Sequence, residues 1–135
     1  MIALDANVLV RYLVDDHPQQ AGAARKLMAE LTSESRGFVC REVSVELARI
    51  LDRAYGFSPN RIATVFEELA ATSEIHLEAA DDTIRAADSC RRGGPDFAEQ
   101  MIAAAAKRSS ADFLYTLDRQ DGQLRATALL PAARR

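Results

Sequence analysis

Two short apolar runs that stop at a carboxylate constrain this chain more than any other feature. "MIALD" opens it, and "FLYTLD" closes a run near residue 118. Runs this short and this apolar read as strands covered on both faces, as in a parallel sheet. Such strands need crossover connections, and the intervening sequence supplies helices. One helix is expected from roughly Asn7 to Leu13, closed by "DDHP", and a second from Pro18 to Leu31. "TSESRG" is a turn-rich loop, and "FVC" is a second strand. From Glu42 to Tyr55 the apolar residues Val43, Leu47, Ile50, Leu51 and Ala54 form one stripe of an amphipathic helix, stopped near Gly56. Ser58 and Pro59 suit an N-cap and first helical position, which predicts a helix to about Ala71. "EIHLE" is a third strand. Helices follow at Asp81 to Arg92 and Asp96 to Arg108, split by "RGGP"; "DFLYTLD" is a fourth strand and "TALL" a weak fifth. Strands alternating with helices predict one α/β domain over residues 1–135, a three-layer α/β/α sandwich with a central, mostly parallel sheet.

Size and composition fit that reading. At 135 residues the chain can bury a real core. It is 48% hydrophobic and 27% charged, ordinary for a globular protein. Aromatics are only 6% and Trp is absent, which argues against a base-stacking surface or an aromatic cage. A net charge of −3 argues against a simple electrostatic clamp on nucleic acid, but not against acids that hold cations. Cys40 and Cys90 form no CxxC, so neither a zinc knot nor a redox pair is suggested, and Cys40 reads as a buried free thiol. No leader pattern opens the chain, and the longest purely apolar run, Met101 to Ala106, is too short to span a bilayer. The expected setting is the reducing cytoplasm, with no membrane partner.

The acids carry the functional reading. In parallel sheets, sites form at the carboxyl ends of strands. Asp5 and Asp118 both end strands that are expected to be central and adjacent. A single strand-ending Asp is more simply an N-cap. Two such carboxylates close together call for something positive between them. Glu46 falls at the border of the apolar stripe of its helix, between Val43 and Ile50, where an ordinary solvated glutamate is the simpler alternative. Asp96 and Glu99 open the helix "DFAEQMIAAAA", a spacing that nearly makes a capping box, while Phe97, Met101 and Ile102 share its apolar face. Convergent carboxylates suit hard divalent cations such as Mg²⁺ or Mn²⁺, which activate water and clamp phosphoryl oxygens. No histidine base is then needed, and His17 and His76 read as structural or solvated. GxGxxG, GxxxxGK[ST] and GxSxG are all missing, and Gly93-Gly94 reads as a helix terminator.

Four segments, "MIALDANVLVRYLVDD", "VSVELARILDRAYG", "DFAEQMIAAAAKR" and "LYTLDRQ", resemble in order the PIN-domain ribonucleases, and most nearly the VapC-type toxins of bacterial toxin–antitoxin pairs. The resemblance covers nearly the whole chain. It implies that Asp5 is the first metal-ligating acid and that Asn7 is the site-organising Asn of a "DTN" signature. It likewise implies that Glu46 is the acid of the helix after strand two. Asp118 would be the acid of "T-x-D", with Thr116 its hydroxyl and Asp121 an auxiliary acid. Two departures stand out. Ala6 replaces the common Thr, and Glu99 stands where relatives carry the Asp that directly precedes "ALIAA", with Asp96 matching the first Asp of that stretch.

The resemblance thus implies a metal-dependent endoribonuclease. Asp5, Glu46, Asp96, Glu99 and Asp118 would be its catalytic acids, with Asp5, Asp96, Glu99 and Asp118 on the Mg²⁺ or Mn²⁺ side. RNA would be the substrate, a VapB-type antitoxin the silencing partner and a homodimer the working form. Arg11, Arg49 and Arg119 are rim candidates for holding the RNA backbone, against the simpler alternative of solvated surface arginines. Two other readings stay open: a catalytically degenerate PIN fold acting as a protein-interaction module, and a phosphohydrolase for small esters.

Overall fold

The computed structural model describes residues 1–117 and the backbone of residues 127–129. Strands β1 (Ile2–Ala3), β2 (Gly37–Val39) and β3 (Ile75–Leu77) form one sheet in the order β1-β2-β3, with every pairing parallel. Around it lie α1 (Ala6–Leu13), α2 (Pro18–Glu30), α3 (Arg41–Arg53), α4 (Pro59–Ala71), α5 (Ala80–Arg91) and α6 (Phe97–Arg108). Strands β4 (Leu114–Thr116) and β5 (Thr127–Leu129) pair in parallel with each other. The α/β class and its parallel sheet are as expected, and the helices start and stop within a residue or two of the predicted bounds.

One expectation of strand order is not met. Among the described residues, β1 is an edge strand and β4 pairs with β5 alone, so the ends of β1 and β4 are not neighbours in one sheet. The ladder of β1 is spent on β2, where Ile2 and Leu4 donate to Arg36 and Phe38 at 2.8 and 2.9 Å. Its outer side leaves Ile2 44% exposed. The β4 side chains Tyr115 and, just beyond, Leu117 are also exposed.

The central strands follow the period of two that places alternate residues on one face. Val39, Ile75 and Leu77 are buried, while Phe38 and His76 meet edge-to-face on the other side at 5.4 Å. Gly37 is closely packed: a Cβ there would come within 2.6 Å of Leu4 Cδ1 and 3.0 Å of Leu31 Cδ1, so those side-chain ends would have to shift. The core fills in with Leu9, Leu47, Leu51 and Phe66, and Phe66 stacks on Phe97 with centroids 5.1 Å apart. That stack ties the start of α6 to α4.

Helix ends behave as local chemistry demands. Ser58 caps α4 by accepting from the Arg61 N–H, with Pro59 at the first helical position. At the end of α5, Gly93 takes φ +84°, its N–H donates to the Cys90 carbonyl, and Gly94 N–H donates to Ser89 O at 2.8 Å. Those two bonds are a Schellman stop. Two smaller expectations are corrected. Cys40 is half-buried rather than buried, because it stands at the β2–α3 junction as the N-cap of α3. Ile102 is 48% exposed, because α6 turns only Phe97 and Met101 fully into the core.

Candidate functional site

Asp5 directly follows the carboxyl end of β1 and is the N-cap of α1. Its Oδ1 accepts from the Ala6 N–H at 2.7 Å, while the carboxylate stays exposed. The capping reading of this strand-ending Asp is met, and its position at the carboxyl end of β1 is where sites form in parallel sheets. Ala6 is fully buried beneath it, and Asn7 follows exposed in the first turn of α1.

Glu46 is exposed on the second turn of α3. It lines a groove between α3 and α6 whose other walls include Arg41, Arg49, Met101, Ile102 and Ala105. Asp96 is the N-cap of α6 by position, yet its side chain makes no capping bond, so the capping-box reading fails. The start of α6 is tied down instead by Gln100, whose amide donates to the Pro95 carbonyl at 2.5 Å, and by the Cys90 thiol, which donates to the same oxygen at 3.2 Å. Asp96 lines a cavity of about 200 Å³ beside Asp52, Arg53 and Phe57, at the C-terminal half of α3. Its charge and burial together push the Cys90 thiol up from its ordinary range, with burial the larger cause. Glu99 lies half-buried in the first turn of α6. Thr116 is half-buried in β4, and Asp118, Arg119 and Asp121 lie outside the described residues.

Residues 2–128 match the PIN domain family. This chain belongs to the PIN-domain family. PIN domains are generally nucleases, so the fold is a nuclease fold and nucleic acid is the general class of substrate. No curated protein matches the chain. Among the described residues, no helix of this PIN domain is long and apolar enough to cross a membrane.

The family's acid positions are an all-oxygen donor set, which suits a hard divalent cation. Among the described residues, no three His, Cys, Asp or Glu side chains come together closely enough to hold one ion. Asp5, Glu46, Asp96 and Glu99 are therefore placed at the end of β1, on α3 and at the start of α6 without forming a closed cluster, and the fifth expected acid, Asp118, lies outside the described residues.

Two charged networks in this PIN domain are held largely by partners distant in sequence. Arg11 donates to Gln20 Oε1 at 2.6 Å, to Asp16 Oδ1 at 2.9 Å and to the Tyr55 hydroxyl at 3.1 Å. It is committed to joining α1, α2 and the end of α3 rather than held free for a substrate. The Tyr55 hydroxyl also donates to Asp16, and this bond, ahead of the Arg11 charge, lowers the Asp16 carboxyl from its ordinary value. The second network centres on Asp82, in the first turn of α5 and only 7% exposed. Arg41, Arg85 and Arg108 all donate to it, and Arg41 also donates to the Met101 carbonyl at 2.7 Å. The Arg108 hydrogen bond is the largest cause of a lowered Asp82 carboxyl, acting against the cost of burial. Arg85 lies three residues on along the helix and was readable as an ion pair. Arg41 and Arg108 lie 41 and 26 residues away, beyond any local pattern.

Proposed function

We propose that this PIN domain is a metal-dependent endoribonuclease, the toxin of a VapBC-type toxin–antitoxin pair. The observation that carries the proposal is the family match over residues 2–128; within that span, the resemblance of the motifs assigns Asp5, Glu46, Asp96, Glu99 and Asp118 as the acids. In this reading Asp5, Glu99 and Asp118 are the principal holders of Mg²⁺ or Mn²⁺. Glu46 and Asp96 serve as further ligands or orient water. Asn7 and Thr116 organise the site, with Asp121 auxiliary. The bound cation supplies activation of water and neutralisation of phosphate charge. The chain's own contribution is to fix carboxylates at the β1 end and on α3 and α6, so that substrate and water are oriented between them. Arg49, which lines the groove with Glu46, would meet a phosphate bound there. A homodimer and a VapB-type antitoxin complete the proposal by family resemblance.

The test is cleavage of a labelled RNA with Mg²⁺ or Mn²⁺ by the wild-type protein and by Asp5→Asn. The expected result is cleavage by the wild type and a loss of about 100-fold or more in the variant, the scale on which preorganised charge stabilisation acts. Equal cleavage by both would remove Asp5 from the site. The second reading, a catalytically degenerate interaction module, is favoured by one observation, the longer Glu99 in place of the family's Asp. Saturable Mn²⁺ binding that disappears in Asp5→Asn would set it aside.

A further inference from the structure

We infer that the groove between α5 and α6 is a binding track for the phosphate backbone of single-stranded RNA, leading into the groove that holds Glu46. The inference rests on the nuclease reading only for the identity of that second groove. The track is lined by Asp82, Arg85, Ala86, Gln100, Ala104, Lys107 and Arg108. That lining carries three cations, Arg85, Lys107 and Arg108, against the single carboxylate of Asp82, an excess of two positive charges in a chain whose net charge is −3. The vertical order of the charges matters. The Asp82 side chain is 8% exposed, whereas those of Arg85 and Arg108 are 70% and 56% exposed, so the carboxylate forms the floor and the guanidiniums face solvent. A polyanion in the groove meets cations first.

The floor also positions those cations. Arg108 bonds Asp82 through Nε and Nη2, and Arg85 bonds it through Nη2, which leaves further guanidinium N–H groups on each for a ligand. Side chains already held in place lose less rotamer entropy when a phosphate binds. Arg41 then joins the two grooves. It donates to Asp82 on one side, bonds the Met101 carbonyl on α6, and lines the Glu46 groove on the other. Between the grooves α6 presents Ala104 to one and Ala105 to the other, small residues over which an extended strand can pass closely.

The experiment uses the full chain and a fluorescein-labelled single-stranded RNA 20-mer in EDTA, so that binding is read without cleavage. Anisotropy titrations run from 50 to 200 mM salt, conditions across which phosphate contacts change affinity strongly. Arg85→Gln/Lys107→Gln removes two exposed cations and leaves Asp82, Arg41 and Arg108 in place. It is expected to weaken binding about tenfold and to lower the log–log salt slope by about 1.4, at about 0.7 per lost single-strand contact. Arg25→Gln/Lys26→Gln, an equal charge change on α2, is expected to stay within about twofold of wild type. The inference is overturned if the groove variant binds like wild type, if the α2 variant weakens binding as much, or if the wild type binds no RNA at low salt. Unchanged cleavage by Asp5→Asn in the separate cleavage assay would sink the site assignment and leave the track standing.

Discussion

Replacing Asp82 with Asn tests how the carboxyl end of the sheet is held together. Asp82 receives hydrogen bonds from Arg41 on α3, Arg85 on its own helix and Arg108 on α6, so one carboxylate joins three helices. These bonds are not equal. The Arg41 side chain is only 23% exposed, but its bond is long at 3.4 Å, so it counts at the low end of a charged, largely buried bond, about 1.5 kcal/mol. Arg85 and Arg108 are more than half exposed, so solvent screens them to the level of surface pairs, about 0.2–1 kcal/mol each. The knot is then worth about 3 kcal/mol, and Asn, which keeps one acceptor oxygen, should lose about 2 kcal/mol. For a chain of this size that is a fall in Tm of about 7 °C. The pH dependence has a definite sign. The folded carboxyl is lowered, chiefly by Arg108, so its stabilisation is complete above the unfolded value, about 3.9, and is lost as pH falls through the folded value. Thermal melts of both proteins should show the full gap at pH 7, the same gap at pH 5, and a closing gap below about pH 4. A gap under about 2 °C at pH 7, or one that persists unchanged into acid, would refute the reasoning.

Two further perturbations read other parts of the structure. Gly94→Ala places a Cβ 2.3 Å from Ser89 Oγ and 2.8 Å from the Ser89 carbonyl that Gly94 itself bonds. The side chain can rotate away but the carbonyl cannot, so urea unfolding should show a loss of about 2 kcal/mol; a neutral result would mean the α5 stop is not built as described. Asp96→Asn, in a Cys40→Ser background, should lower the Cys90 thiol and speed its reaction with a disulfide reagent at neutral pH, because the Asp96 charge is one of the two causes that raise it. An unchanged rate would place Asp96 away from Cys90.

What the sequence made legible follows the reach of its signals. The Ser58–Pro59 start of α4 and the Gly93–Gly94 stop of α5 are written within a few residues, and both are found with the expected bonds. The alternation of short apolar runs with amphipathic stretches was enough for the α/β class. The larger misreadings are non-local. Which strand lies beside β1 depends on pairing energies between segments far apart in the chain. The role of Asp82 has no signal in the sequence beyond Arg85, because two of its three partners come from other helices. The near-capping box at Asp96 and Glu99 lost to Gln100, which reaches the Pro95 carbonyl from one turn further along.

Asp5 shows why the simple and the functional readings of a strand-ending acid need not compete. Its Oδ1 takes the Ala6 N–H, which fixes the side chain at the end of β1. A carboxylate has two oxygens and about four lone-pair sites, so one capping bond leaves most of its accepting capacity for a ligand. The cap also holds the carboxylate in one orientation before anything binds, which lowers the entropy cost of recruiting it. A sequence pattern that suits a helix start is therefore also what a strand-end site requires. What distinguishes the two uses is the presence of other acids around it, and that is a property of the fold rather than of the five residues "MIALD".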